Sequence, residues 1–343
     1  MVSQHLYKVT LPLSLILTGL SSRILPEQYF RDSNYLLDRS KSSVAGISDS
    51  YQVIINVYAI FGMSDHTVYL SLVQWVLFAS LISLARRGRY RSHIGVNLIS
   101  IFYLLLIPFY GSMLTKELLI GILVLVVLIS NQRIKASPNK RFLIYCILFT
   151  IISLTIRQYY FITLATFILL RLMYLNKRNA LIISLGLIVP IMASLNSKFS
   201  IFSRLAGVNI FLVRNQVEAL LPIKPRTTIF QSDYSVNPLT NLSIYFKVLQ
   251  QMFLPWQIVQ GSTYNKVTFL TIMFLTGIII GILHFIVTAN TNTPEFLLIL
   301  AYFLVSTIFE PDLGSFLRHT FPLLPILVYG LNTKLRLSFL EST

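Results

Sequence analysis

The chain has 343 residues, of which 55% are hydrophobic and 12% charged, with a mean hydropathy of +0.71; too few polar side chains remain to cover a soluble protein. Its 28 basic against 12 acidic residues give a net charge of +16, which in a soluble chain points to nucleic acid. Long apolar runs between the charges argue against that partner and predict an all-α, polytopic integral membrane protein.

Ten runs approach the length a bilayer requires, at 6–22, 66–85, 94–110, 118–130, 142–156, 161–175, 180–195, 265–289, 295–309 and 321–336. The first has Lys8 ahead of a short apolar stretch, as a signal peptide does, but no small-x-small site follows at Leu20-Ser21-Ser22, so it is read as a helix. Two long segments expected on the external side, about 23–65 and 196–264, interrupt a single membrane domain spanning 1–343. The first turns apolar at Tyr51–Gly62, short enough for an interfacial helix. In the second, apolar residues recur at near-helical spacing from Phe199 to Leu221, and Pro222, Pro225 and Pro238 end helices beyond it.

Four basic clusters fix the orientation: Arg86 to Arg91, Arg133 to Arg141, Arg171 with Lys177 and Arg178, and Lys334 with Arg336. Basic residues collect on the cytoplasmic side of a membrane. With all four clusters there, residues 142–175 begin and end on one side, and as one helix they measure about 51 Å, too long for a single crossing. They form a hairpin with Arg157-Gln158-Tyr159-Tyr160 at its tip, and 94–130 forms another, with its tip at Gly111–Glu117. Both termini then lie in the cytoplasm. The inner side carries fourteen basic against two acidic residues, mostly an orientation signal; the outer side carries fourteen against ten.

The outer charges are the informative ones, because ionisable groups at the edge of an apolar layer are expensive. Arg157 sits between two helices of about 15 residues, too short for a full bilayer, and is expected at the bottom of an external depression. The alternative is snorkelling, or a structural pair with Glu117. Lys116-Glu117 opens a helix, where the carboxylate also suits the dipole. The densest group runs from Glu310 through Asp312 and Arg318 to His319, gathering two carboxylates, a guanidinium, an imidazole and a turn-forming Gly314 at the outer mouth; the alternative is a purely structural turn. Arg31-Asp32-Ser33, with Asp38-Arg39, adds a fourth cluster, and Arg204 and Arg214 lie in the long loop. Guanidinium and ammonium groups match phosphate oxygens, carboxylates and a His supply bases, and Tyr29, Phe30, Tyr159, Tyr160 and Phe316 offer faces for sugar rings. The single cysteine, Cys146, falls inside a predicted helix, and neither metal-ligand spacing nor a Walker or GxGxxG string occurs, so no metal or cofactor is expected.

Tyr29-Phe-Arg-Asp32-Ser33, Thr115-Lys116-Glu117-Leu118, Arg157-Gln-Tyr-Tyr160-Phe161 and Gly314-Ser-Phe-Leu-Arg318-His319-Thr-Phe-Pro-Leu-Leu-Pro325 together resemble the Wzy-type O-antigen and capsule repeat-unit polymerases and their exopolysaccharide relatives. The resemblance implies an architecture like that of the GT-C glycosyltransferases in the bacterial inner membrane. It also implies metal-independent transfer of a glycan from undecaprenyl diphosphate to a sugar hydroxyl of another lipid-linked unit, on the periplasmic face. On that expectation Arg157 and Arg318, assisted by Lys116, hold the diphosphate, and Arg204 and Arg214 guide the donor. His319, Glu310, Asp312 and Glu117 are the catalytic candidates, with the choice of base open, and Asp32, Tyr159 and Tyr160 contact sugar. A flippase and a chain-length regulator are the implied partners, alongside membrane lipids. Three rivals stay open: a GT-C transferase using polyprenyl-phosphate sugars, with Asp32 or Asp38 as base or metal ligand; an O-antigen ligase; and a lipid-linked sugar transporter, which predicts ionisable groups at the midplane and internal repeats.

Overall fold

The computed structural model describes residues 2–24, 55–56, 68–87, 94–111, 115–157, 159–175, 243, 246, 293–309 and 313–341. Among them every regular element is helical. Helix α1 is Val2–Gly19, with one further turn at Ser21–Ile24; α2 is Val68–Ala85; α3 is Ile94–Leu106, continued by a π turn at Ile107–Gly111. Helices α4 (Glu117–Arg133), α5 (Pro138–Thr155), α6 (Tyr160–Leu175) and α7 (Pro294–Phe309) come next. The last described part is α8 (Leu313–Thr320), a 3-10 turn at Phe321–Leu323, and α9 (Leu324–Glu341).

Eight of the ten expected apolar runs coincide with helices; those at 180–195 and 265–289, and nearly all of the segments 23–65 and 196–264, lie outside the described residues. Among the described residues one stretch, Ile94–Gly111, is long and apolar enough to cross a membrane, and Tyr69–Ala85, Tyr160–Leu175 and Pro294–Ser306 are shorter apolar helices. The expected helix at 142–156 begins earlier. Ser137 caps α5 by accepting from the Lys140 N–H at 3.4 Å, and Pro138 occupies the first turn, where its missing N–H costs nothing. This gives α5 18 residues, about 27 Å, so the hairpin α5–α6 is longer than the apolar run alone suggests.

Contacts between helix ends sort the bundle into two ends. Gln132 near the end of α4 donates to the Leu84 carbonyl at 2.8 Å, Asn332 of α9 donates to the Ala85 carbonyl at 3.3 Å, and Arg86, just after α2, hydrogen-bonds Asn97 at the start of α3. Arg141 at the start of α5 meets Glu295 at the start of α7, and Arg171 near the end of α6 donates to Asn139 at 2.8 Å. The clusters at Arg86–Arg87, Arg133–Arg141 and Arg171 therefore share one end of the bundle. Glu117 at the start of α4 marks the other, about 24 Å away along the helix.

Outward faces are apolar. On α5 the exposed large side chains are Leu143, Ile147, Ile151 and Leu154, and on α1 they are Leu6, Val9, Leu13 and Ile16. Both sets recur at three- and four-residue steps and so form stripes along one helix face, where a water-facing helix carries polar groups.

The cations at the basic end of the bundle differ from the expectation of a simple orientation signal. Arg86, Arg141 and Arg171 are buried. Arg86 lies over the Tyr7 ring, 3.3 Å from its centroid. Arg141, 2% exposed, pairs at 2.9 Å with Glu295, 0% exposed; Tyr145 donates to the same carboxylate oxygen at 2.9 Å and accepts from Asn131 at 3.2 Å. A Cβ on Gly330 would stand 2.6 Å from that of Glu295, so only glycine lets α9 pass the pair. A guanidinium is buried here because its counter-charge lies on a helix more than a hundred and fifty residues later. Arg141→Met strands the Glu295 carboxylate and is expected to cost about 3–5 kcal/mol, while Arg141→Met with Glu295→Leu restores most of that loss. Thermal unfolding of the detergent-solubilised variants measures both, and a single variant as stable as the double would contradict the pairing.

Candidate functional site

The end opposite the basic clusters collects charge from three distant segments. Glu117 is the first residue of α4, where the free N–H groups of the first turn favour a carboxylate, and its side chain is 2% exposed. Lys116, half-buried, occupies the cap position before it. Arg157 belongs to the tight connection between α5 and α6. The N–H groups of Ile156 and Arg157 both bond the Ile152 carbonyl, at 2.8 and 3.1 Å, and the Tyr160 N–H bonds the Arg157 carbonyl at 3.1 Å, so the backbone that carries the guanidinium is fixed. Arg157 Nη1 also donates to the Tyr159 hydroxyl at 3.0 Å.

The third segment departs from the sequence-based expectation. Gly314 to His319 is helix α8, not a turn, with Phe316, Leu317 and Thr320 packed inward and Arg318 and His319 in its last turn, where cations suit the dipole. Phe321 locks the 3-10 turn beyond α8. Its ring stands 4.5 Å from Tyr103, stacked, 4.8 Å from Phe78 and 6.3 Å from Tyr110, and Pro322 shapes the turn itself. Two residues from His319, this aromatic anchor sets how far α8 reaches over the bundle. A second support is the π turn of α3. Pro108 lacks the N–H that an α-helix needs, and at Gly111 a Cβ would stand 2.8 Å from the Phe78 ring.

The three segments meet within ion-pair distance. Glu117 Oε1 lies 3.2 Å from His319 Nε2, 3.5 Å from Arg157 Nη2 and 3.9 Å from Arg318 Nε. Arg157 Nη1 stands 2.9 Å from His319 Nδ1, its other terminal nitrogen touches the ring at Nε2, and Arg318 Nη2 is 3.5 Å from Nε2. One carboxylate is thus surrounded by two guanidiniums and an imidazole that is itself 3% exposed. A guanidinium carries donors only, and Arg157 presents them to both ring nitrogens of His319, while Glu117 Oε1 stands at ion-pair distance from Nε2 without a hydrogen bond. In this arrangement the imidazole lies beside a carboxylate and both of its ring nitrogens are covered by an arginine.

The aromatic candidates divide. Tyr159 is half-buried at the site. Tyr160 is fully buried, stacked 4.8 Å from Tyr159 and 6.0 Å from Tyr302, so neither of its faces is open to a sugar. Phe316 is buried against Phe303, ring centroids 5.5 Å apart, and is likewise part of the core. Asp32, Asp38, Arg204, Arg214, Glu310 and Asp312, with Tyr29 and Phe30, lie outside the described residues. Sequence reasoning missed Phe321 and Tyr302, whose roles come from ring contacts across the bundle, and Arg141 with Glu295, which resembled ordinary inner-side charges. Among the described residues no three His, Cys, Asp or Glu side chains are grouped to hold a metal.

Set in an apolar frame, this arrangement has two chemical capacities. Paired guanidiniums stabilise an oxyanion that gathers charge, and an imidazole beside a carboxylate takes a proton from a hydroxyl. No protein-family model matches the chain, and neither a curated protein nor a solved structure matches it.

Proposed function

We propose that the chain is a multi-pass glycosyltransferase of the bacterial inner membrane that polymerises lipid-linked oligosaccharide repeat units, with both termini in the cytoplasm and the charged cluster at the periplasmic face. The observation that carries the proposal is the meeting of Glu117, Arg157, Arg318 and His319 at the end of the bundle opposite the basic clusters. Apolar outward stripes on α1 and α5 support the membrane setting, and the resemblance of the strings around these residues to Wzy-type polymerases supports the reaction.

In this reading the donor glycan arrives on a polyprenyl diphosphate. Its phosphate oxygens draw Arg157 away from the imidazole and toward themselves, with Arg318 and Lys116 beside it. The His319 ring, no longer covered, takes the proton of the acceptor sugar hydroxyl, and the neighbouring Glu117 carboxylate stabilises the imidazolium that forms. The hydroxyl oxygen forms the new bond to the anomeric carbon. The bond from that carbon to the diphosphate oxygen breaks, and its electron pair leaves with the diphosphate, whose growing charge the guanidiniums already face. Such stabilisation by fixed cations requires no metal. Donor binding therefore sets the base free, which keeps the site idle until a diphosphate is present.

The test is purified protein incubated with a lipid-linked repeat unit in the presence of a chelator. A ladder of polymer is the expected product. Addition of a single unit to a different acceptor would place the chain among the ligases or GT-C transferases instead, and loss of all transfer on chelation would replace the cation mechanism with a metal-dependent one.

A further inference from the structure

The other end of the bundle holds a cavity that this reaction leaves unused. It has a volume of about 630 Å³ and lies among α1, α2 and α4. Leu11, Trp75, Val76, Leu125 and Ile129 make its body apolar, and no carboxylate among the described residues lines it. Its mouth is different. Arg87, directly after α2, and Arg133, the last residue of α4, are both exposed, and both line it. Among the described residues neither guanidinium has a side-chain partner. Arg86 beside them is buried and committed to Tyr7 and Asn97, whereas Arg87 and Arg133 are exposed at the pocket.

The frame of the cavity is fixed. Gln132 ties α4 to the Leu84 carbonyl next to the two arginines, and Trp75 Nε1 donates to Ser14 Oγ at 2.9 Å along the wall, so indole and hydroxyl satisfy each other and leave an apolar lining. An apolar slot that ends in two exposed cations, with no carboxylate lining it among the described residues, matches one kind of molecule in a bilayer: an acyl chain with an anionic headgroup. A zwitterionic lipid brings its own cation to the mouth and a free phosphate leaves the slot empty.

We infer that this cavity is a binding site for one anionic phospholipid of the cytoplasmic leaflet, its acyl chain along Trp75, Val76 and Ile129 and its phosphate between Arg87 and Arg133. The inference rests on the membrane setting of the bundle, not on the polymerase reaction, and it concerns the face away from Glu117 and His319.

Native mass spectrometry of the detergent-solubilised full chain tests it, with phosphatidylglycerol, phosphatidylcholine of the same acyl chains, and inorganic phosphate as probes. The wild type should retain phosphatidylglycerol preferentially, by about fivefold for each guanidinium engaged. Arg87→Gln with Arg133→Gln, two exposed positions outside the packed core, should reduce retention to the phosphatidylcholine level. Ser80→Trp, which fills the slot from an exposed wall position and leaves both cations in place, should reduce retention of both lipids. Equal retention of the two lipids by the wild type, or an undiminished preference in the double variant, would overturn the site. Release of phosphatidylglycerol by millimolar inorganic phosphate would show a phosphate site without a lipid slot and would overturn it as well. Polymer formation is read separately, so loss of the lipid preference and failure of the reaction remain distinguishable.

Discussion

Arg157→Lys should abolish polymer while the protein still folds and reaches the membrane. The guanidinium is the hub of the outer cluster: it donates to Tyr159, faces both nitrogens of His319 and lies 3.5 Å from Glu117. Lysine keeps the charge but offers one ammonium in place of a planar fork, so it cannot hold two phosphate oxygens in register or span both ring nitrogens of the imidazole. Removing one such stabilising donor typically costs about 10²- to 10³-fold in turnover, and the second function of Arg157, covering the base, is lost with it. Membrane abundance and unfolding temperature should stay near those of the wild type, because Arg157 is partly exposed and its neighbours retain a cation. The measurement is polymer length distribution in cells together with turnover of the purified variant. Full-length ladders would remove Arg157 from the site.

Glu117→Gln separates binding from turnover. The amide has the size of the carboxylate but no charge, so two guanidiniums and the imidazole lose their common counter-charge. Breaking a buried charged contact of this kind costs about 3–5 kcal/mol, so the free variant should unfold at a lower temperature. A diphosphate then supplies the missing negative charge, and added pyrophosphate should stabilise Glu117→Gln more than it stabilises the wild type. Turnover moves the opposite way. Without the carboxylate, His319 loses the counter-charge 3.2 Å away that stabilises it once protonated, and loss of a general base typically forfeits about 10²- to 10⁴-fold. A variant that binds diphosphate better and polymerises worse is the expected phenotype. Retained turnover would mean that Glu117 serves only to hold α4 against α8.

Much of the helical layout was legible because charge placement and length act together. Like-signed clusters at Arg133–Arg141 and Arg171 predicted two helices between them, and Pro138–Thr155 and Tyr160–Leu175 are two helices. The outer grouping was legible in the same way: Glu117, Arg157 and His319 fell on one side once the hairpins were drawn. Hydropathy is blind to a partner far along the chain. It started the apolar run after Lys140 and Arg141, although Arg141 is buried by Glu295, and position near a hairpin tip put Tyr160 among sugar-facing rings, although Tyr159 and Tyr302 enclose it. Gly314 suggested a turn because glycine is the usual turn residue, yet Phe316, Leu317 and Thr320 give the segment a buried face on one side, and packing decided for a helix. The π turn at Ile107–Gly111 had a signal in Pro108 and Gly111 that periodicity alone does not weigh.

The central claim is that Arg157 and Arg318 hold a diphosphate next to His319. Binding of a short isoprenyl diphosphate and of the matching monophosphate to the purified wild type and to Arg157→Lys tests it most directly. The wild type should prefer the diphosphate, and Arg157→Lys should bind the two alike. Equal binding of both ligands by the wild type, or an unchanged diphosphate preference in Arg157→Lys, would contradict it.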